Sequence, residues 1–301
     1  MEAINNHRKP NSHFPLFPTL INTSGLNSED SNTLCDPIEY KYNIRSKDYL
    51  QTGVKQPSNA PLYSLIGADL FMTSAKENIT NSNSLRASSF RNARKNGFKR
   101  FVLILNFKLN FGNFIVYWTP KTLVNDSYLT TSTSFNGLLE QFIEKDDTYR
   151  NSRLKIIPVL IEGSWILMPV ITGKPAIIGT KIDTNWVVNL GEGENFIEAN
   201  INISDSSIAN GILNMTKAYI NKIVLDLAFT IEGKTEDELP EEILCSLRLN
   251  KMNMSEGITL HHTNLFLRKS VQDIKKISSQ TFCNSTTVTY PLKDLKAILL
   301  I

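Results

Sequence analysis

The sequence predicts an α+β fold, a largely antiparallel β-sheet packed with two or more amphipathic helices. Segments with strand character outnumber helical ones along the chain. The helical segments stand between the strands without the regular alternation that builds a parallel sheet. Hydrophobic residues make up 41% of the 301 residues, which is enough to form a core.

The first strands are predicted around a hairpin. Residues 61–71 are apolar and short, which favours an extended segment. Residues 73–97 are polar, which favours a loop, with a helical turn as an option. Residues 101–109 are nearly all apolar and rich in β-formers, as in a central strand buried on both faces. A turn at 110–112 and a return strand at 113–118 complete the hairpin.

Two apolar stripes predict the amphipathic helices. The first stripe consists of Phe135, Leu138, Leu139, Phe142 and Ile143. The second consists of Ile208, Ile212, Met215, Tyr219 and Ile223. Ser134 is a candidate N-cap of the first helix, which we expect to continue toward Arg153.

Four further strands are predicted at 165–171, 176–182, 196–203 and 224–231. The strand 196–203 alternates between apolar and polar residues, which predicts one buried and one solvent-facing side. The same alternation in 224–231 favours a solvent-facing Asp226 over one that lines a cavity. Thr235 and Glu238 have the spacing of a capping box, which predicts a helix that runs to Leu249.

The chain divides into three predicted parts. Residues 1–35 are polar and predict a flexible tail, 36–250 hold the regular elements, and 251–301 form a C-terminal appendage. The N-terminus has no apolar signal region. The longest apolar stretch, 154–171, is interrupted by charges and prolines, which argues against a transmembrane segment. We therefore expect a cytoplasmic protein, either soluble or peripheral on a membrane.

The residue types of most catalytic and metal sites are missing from the predicted core. The histidines are His7, His13, His261 and His262, so none lies within residues 36–250. The three cysteines are too widely spaced for a zinc pattern, and no glycine-rich phosphate loop is present. We expect no catalytic residues, no metal and no cofactor. A hydrolase that uses carboxylates such as Asp146 and Asp147 is the less favoured alternative.

One basic segment stands out against a net charge of only +3, which itself argues against a dedicated nucleic-acid protein. Six cations within residues 86–100 have no acid among them. They are Arg86, Arg91, Arg94, Lys95, Lys99 and Arg100. The segment could contact an anionic membrane, bind RNA through phosphate contacts and its two phenylalanines, or be a solvated loop.

Arg150 and Arg153 are a second pair of candidates for anion binding, because a planar guanidinium suits phosphate or carboxylate. The alternative is that Arg150 pairs with Asp146 or Asp147 at three- or four-residue spacing on a helix.

Six stretches of the chain, in order, resemble the C-terminal domain of the plant Enhanced Disease Resistance 2 proteins. They are IRSKDYL (44–50), PLYSLIGADLF (61–71), DDTYRNSRLKIIP (146–158), EGSWI (162–166), SSIANGI (206–212) and VLDLAFTIEGKTEDELPE (224–241). In plants this domain often follows pleckstrin homology and START lipid-binding domains. The resemblance therefore implies a role near phosphoinositides or in lipid binding. The 35 residues that precede the domain here are too few for either companion.

The favoured function is a non-catalytic lipid-binding or membrane-associated domain, with lipid transfer or signalling as its setting. An apolar pocket between the sheet and the helices would hold the lipid, and residues 86–100 would face anionic lipid. The alternative is a protein-interaction module with a packed core and no ligand.

Overall fold

The computed structural model describes residues 33–37, 42–72, 88–122, 127–163, 172, 174–191, 193–205, 220–253 and 258–259. Within these residues two β-sheets pack face to face, and a two-stranded hairpin lies beside them. The first sheet has the order β1-β12-β11-β7-β8, and the second has the order β13-β4-β6-β5-β10-β9. Apart from β5–β10 and β4–β13, the strand pairs of the described residues are antiparallel.

The strands are β1 (Thr33–Cys35), β2 (Asn43–Arg45), β3 (Lys55–Pro57), β4 (Tyr63–Met72), β5 (Val102–Leu109), β6 (Gly112–Pro120), β7 (Leu154–Glu162), β8 (Ala176–Ile177), β9 (Thr184–Asn189), β10 (Phe196–Asn202), β11 (Val224–Ile231), β12 (Ile243–Asn250) and β13 (Ile258–Thr259). The helices are α1 (Tyr49–Thr52), α2 (Ser89–Lys95), α3 (Thr133–Glu144), α4 (Asp147–Asn151) and α5 (Ile178–Lys181). Three short 3-10 helices span Ile203–Asp205, Ile220–Lys222 and Glu236–Glu238.

The main core lies between the two sheets, where side chains of β4, β5, β6 and β10 meet those of β7, β11 and β12. Trp118 on β6 is fully buried and meets the ring of Phe229 on β11 edge to face, with 5.8 Å between ring centroids. Its indole Nε1 donates a hydrogen bond of 2.8 Å to the carbonyl oxygen of Ser246. This bond satisfies the only polar atom of a large apolar side chain and ties the two sheets together.

The hairpin predicted at 101–118 is confirmed as β5 and β6. All eight residues of β5 are buried, as expected for a central strand. The segment predicted as extended at 61–71 forms β4, which pairs with β6. The strand β1 occupies the last three residues of the segment predicted as a tail and pairs with β12.

The helix α3 confirms the first amphipathic stripe, and Phe142 is completely buried. The helix does not continue toward Arg153, because the backbone turns extended at Lys145 and Asp146. Asp146 then caps a new short helix, α4, by accepting a hydrogen bond of 2.9 Å from the Tyr149 N–H. The second stripe lies mostly outside the described residues, and the strand predicted at 165–171 lies entirely outside them. Within the described residues the fold is rich in β-sheet and contains one amphipathic helix of the predicted kind.

Two element predictions are wrong. Residues 176–182 form only the two-residue β8 followed by α5, instead of one strand. The segment predicted as a helix to Leu249 is the strand β12. The capping box of Thr235 and Glu238 does form, but it starts a single 3-10 turn. Pro240 ends this turn, and every second residue of β12 from Cys245, namely Cys245, Leu247 and Leu249, then packs in the core.

The prediction of a solvent-facing polar side on β10 is also wrong. Glu198 and Asn200 on this side are at most 1% exposed. The Asn106 Nδ2 of β5 donates a hydrogen bond of 2.9 Å to Asn200 Oδ1, and Asn113 of β6 donates one of 2.7 Å to Asn106 Oδ1. Burial of amides is tolerated when they bond one another, and this row of side chains favours the observed parallel register of β5 and β10.

Asp226 is buried as well, in contrast to the prediction from its alternating strand. It is 1% exposed and accepts two hydrogen bonds from Arg248 on β12, at 2.7 and 2.8 Å. The two residues are directly opposite each other in the β11–β12 pair. A bidentate guanidinium–carboxylate pair of this kind allows both charges to leave water.

Asp36, which follows β1, provides a pH-dependent link between the two sheets. Its Oδ1 accepts a hydrogen bond of 3.2 Å from the Leu65 N–H on β4. Burial raises the pKa of this carboxyl to about 6, although the Leu65 hydrogen bond and the charge of Lys121 act to lower it. A folded-state pKa above the unfolded value means that ionised Asp36 destabilises the fold above about pH 6, and this loss disappears as the pH falls toward 4.

We predict that Asp36→Asn unfolds at a higher urea concentration than the parent protein at pH 7.5. The amide keeps the acceptor for Leu65 and removes a penalty of about 3 kcal/mol, at 1.36 kcal/mol per unit of pKa. The advantage of the variant should shrink as the pH is lowered from about 6 to 4, where the parent carboxyl is protonated. A difference in unfolding free energy that stays constant over this range would contradict the assignment.

Candidate functional site

One end of the six-stranded sheet collects most of the candidate residues. The parallel strands β5 and β10 both begin there, at Val102 and Phe196, while β6 and β9 end there, at Pro120 and Asn189. The helix α2 leads into β5, the turn between β9 and β10 leads into β10, and the connection after β6 leaves the sheet beside them. We call this region the basic end.

The helix α2 replaces the loop predicted for this part of the basic segment. Ser88 caps it by accepting a hydrogen bond of 3.2 Å from the Arg91 N–H. Phe90 is completely buried and packs edge to face on Phe196, at 5.2 Å between centroids. The Ser89 N–H and the Tyr117 hydroxyl donate hydrogen bonds of 2.8 and 2.7 Å to the buried Asp69 carboxylate. Burial raises the pKa of Asp69 above its usual value, and these hydrogen bonds offset part of that rise.

The Arg94 guanidinium makes its contacts within the protein at the basic end. Its Nη1 donates hydrogen bonds of 2.7 Å to the Phe98 carbonyl and 2.9 Å to the Arg100 carbonyl. Its Nη2 donates to the Asn195 carbonyl at 3.0 Å and also to the Glu194 carbonyl. The guanidinium carbon lies 4.7 Å from the centroid of the Phe90 ring, a cation–π contact. Arg94 therefore joins α2 to the β9–β10 turn.

Arg91 and Arg100 are also used within the protein. Arg91 pairs with Glu194 of the β9–β10 turn at 2.8 Å. Arg100 donates to the Pro120 carbonyl and, at 2.9 Å, to the Thr122 carbonyl at the end of β6. These contacts remove Arg91, Arg94 and Arg100 from the set of freely available cations that the sequence suggests.

Lys95 and Lys99 remain as exposed cations of the basic segment. Lys121, which is also exposed, joins them, because it stands between the two residues whose carbonyls Arg100 holds. Lys121 was not among the predicted site residues. The predicted hairpin could have identified it, because the residue that follows the second strand of a hairpin lies near the residue that precedes the first strand. Arg86 lies outside the described residues.

Arg150 closes the carboxyl end of α3. The buried guanidinium donates hydrogen bonds of 3.0 Å to the Phe142 carbonyl and 2.7 Å to the Ile143 carbonyl, and it pairs with Asp147 at 2.9 Å. Burial lowers the pKa of Arg150, and Asp147 opposes this effect. A cation at a helix carboxyl end is favoured by the helix dipole. This geometry corresponds to the structural alternative for Arg150.

Arg153 is also held by protein groups. It pairs with Glu238 at 2.5 Å and donates a hydrogen bond of 2.8 Å to the Glu232 carbonyl. The hydrogen bond from Arg153 helps lower the pKa of Glu238, against the effect of burial. The guanidinium groups of both Arg150 and Arg153 are thus bound to protein acceptors.

The two carboxylates considered for a hydrolase have separate local roles. Asp146 caps α4, and Asp147 pairs with Arg150. Among the described residues, no three His, Cys, Asp or Glu side chains converge on a position that could hold a metal ion. All four histidines lie outside this part of the chain. No helix in the described ranges is long and apolar enough to cross a membrane.

The fold is thus a two-sheet domain whose basic end combines internal arginines with surface lysines. A family model described as the C-terminal domain of Protein ENHANCED DISEASE RESISTANCE 2 matches residues 35–253. The chain belongs to this family, which confirms the resemblance drawn from the six sequence stretches.

A protein from Arabidopsis thaliana, named "Protein ENHANCED DISEASE RESISTANCE 2-like", is 27% identical over 218 residues. The match covers 72% of this chain and 28% of that relative. The chain therefore corresponds to about a quarter of the relative's length. No solved structure matches the chain.

The two kinds of cation at the basic end predict opposite mutational effects. Arg94→Ala should lower the unfolding free energy by about 2–4 kcal/mol, because several carbonyl groups lose a charged donor. Lys95→Ala, one position along the same helix, should change it by at most about 0.5 kcal/mol. Urea unfolding of both variants measures the difference. Equal effects would show that Arg94 does not organise the basic end.

Proposed function

We propose that the chain is a non-catalytic domain that binds peripherally to anionic membranes through Lys95, Lys99 and Lys121. One observation carries the proposal: exposed lysines from two separate segments stand at one end of the sheet, on a scaffold that neighbouring arginines hold together. Lysine on a flexible stem suits a surface of mobile headgroups, because it needs no fixed partner geometry.

The expected strength of this contact is modest. Each basic side chain near an anionic membrane contributes about 1 kcal/mol, so the three lysines contribute about 3 kcal/mol. The attraction acts over about 8 Å at physiological salt. Such binding is reversible and depends on ionic strength, as befits a peripheral domain. A cytoplasmic location and a role in lipid transfer or signalling are parts of the same proposal.

Family membership supports the proposal indirectly. The resemblance implies a domain that occurs beside lipid-recognising domains in plants, although a fold shared with a family does not by itself assign a function. The contribution of this chain would then be a lipid contact of its own. Its cations come from the sheet end and need no lipid-recognising companion.

A protein-interaction module is the second candidate, and the packing of the core favours it. The apolar stripe of α3 and the inward faces of both sheets are covered by one another. Under this alternative the same three lysines would face an acidic protein surface instead of headgroups. The two functions differ in whether pure lipid is sufficient for binding.

The test is co-sedimentation with vesicles of phosphatidylcholine alone and of phosphatidylcholine mixed with phosphatidylserine. We expect binding only to the anionic vesicles, and weaker binding as salt is raised. The triple variant Lys95→Gln, Lys99→Gln, Lys121→Gln should bind about 100-fold more weakly, which corresponds to about 3 kcal/mol.

A matched control removes the same charge elsewhere. Lys55, Lys174 and Lys181 are also exposed and lie outside the basic end, and their triple replacement by Gln should reduce binding far less. Equal losses for both triple variants would show that only net charge matters. If the parent protein does not bind anionic vesicles, the proposal is wrong. Binding to RNA instead would show that the lysines contact nucleic-acid phosphates.

A further inference from the structure

The β9–β10 turn presents apolar side chains to solvent at the basic end. Leu190, just after β9, is 45% exposed, and Val188 at the end of β9 is 37% exposed. The described residues contain two further large apolar side chains with comparable exposure, Leu50 and Val54, in the β2–β3 connection. Moving these two side chains from water into an apolar environment would be favourable.

Hydrogen bonds hold the backbone of this turn. The Gly191 N–H donates a hydrogen bond of 3.0 Å to the Asn189 side chain, and the Glu194 N–H donates one of 3.3 Å to the Gly191 carbonyl. Gly193, with φ of +86°, adopts the left-handed conformation that glycine accepts without strain. Arg91 and Arg94 fasten the far side of the turn to α2. The turn is therefore joined to the basic end.

The same contacts join the turn to the segment that carries Lys95 and Lys99. Asn195, at the end of the turn, donates a hydrogen bond of 3.5 Å to the Lys99 carbonyl, and its own carbonyl accepts from the Val102 N–H. Lys95 follows directly after Arg94 on α2. The sequence also places Glu192 in this turn, so the attraction to an anionic surface must come from the lysines of the neighbouring elements.

The other exposed apolar pair has a different electrostatic setting. Near Leu50, the side chain of Gln51 donates a hydrogen bond of 2.9 Å to Glu236. Asp48 and Asp237 are also exposed in these two connections, and Lys47 is bound to the carbonyls of the Glu236–Leu239 segment. Lys47, Lys55 and Lys234 are exposed there too, so the exposed charges of the two signs balance. At the basic end the exposed charged side chains of the described residues are lysines.

We infer that Leu190 and Val188 insert into the headgroup–acyl boundary of an anionic bilayer while Lys95, Lys99 and Lys121 contact the headgroups. The inference rests on the proposed membrane binding and adds its depth and orientation. An apolar contact at this boundary together with basic residues is a two-part anchor, in which the apolar part is insensitive to salt.

The first test measures binding at low and high salt to phosphatidylserine-containing vesicles. The double variant Val188→Ser, Leu190→Ser should bind about 10-fold more weakly, and nearly all of its remaining binding should disappear at high salt. The control Leu50→Ser, Val54→Ser removes comparably exposed apolar groups from the β2–β3 connection, where the exposed charges balance, and should bind like the parent. Thermal melting establishes that both variants remain folded.

The second test reports insertion directly. Leu190→Trp adds a fluorophore at the tip, and vesicles with brominated acyl chains should quench its added emission relative to the parent, whereas the tryptophan of Leu50→Trp should not be quenched. If Leu190→Trp binds the vesicles without added quenching, insertion is wrong and surface binding stands. If the parent binds no anionic vesicles, the proposed function fails and the insertion fails with it.

Discussion

The parallel pairing of β5 with β10 is the constraint on which the basic end depends. Because the two strands run in the same direction, the segments that precede them must lie side by side. Those segments are α2 with its basic residues and the turn after β9. Their neighbourhood follows from the sheet order, and the buried Asn106–Asn200 hydrogen bond fixes the register that maintains it. The row of buried amides thus helps determine which segments lie together at the surface of the basic end.

Arginine and lysine have separate tasks at this end of the sheet. Arg94 and Arg100 donate several hydrogen bonds each to main-chain carbonyls, which a planar group with five donors does well. Lys95 and Lys99 extend into solvent. A count of basic residues in a segment therefore overstates the charge that is available to a partner. Of the five cations of 86–100 that the structure describes, two are exposed, and Lys121 after β6 adds a third.

The sequence could predict the elements whose side-chain pattern has one interpretation. The uninterrupted apolar run of β5 and the single stripe of α3 are such cases. It could not predict that β10 and β11 bury their polar residues, because alternation looks the same whether the polar side meets water or a partner. Asp226 is buried only because Arg248 is opposite it, 22 residues later in the chain. The helix predicted before Leu249 failed for a related reason, since a strand that completes a sheet overrides local helix signals.

The contacts that join the β9–β10 turn to α2 have a consequence for the orientation of any contact made there. A flexible basic tail must become ordered when it meets a surface, and that ordering subtracts from its affinity and leaves its orientation undefined. The β9–β10 turn, which is held by the left-handed Gly193 and by Arg91 and Arg94, has its conformation before it meets a surface. Any contact that it makes holds the whole domain at one angle, so the strands of the six-stranded sheet would point the same way in every bound molecule.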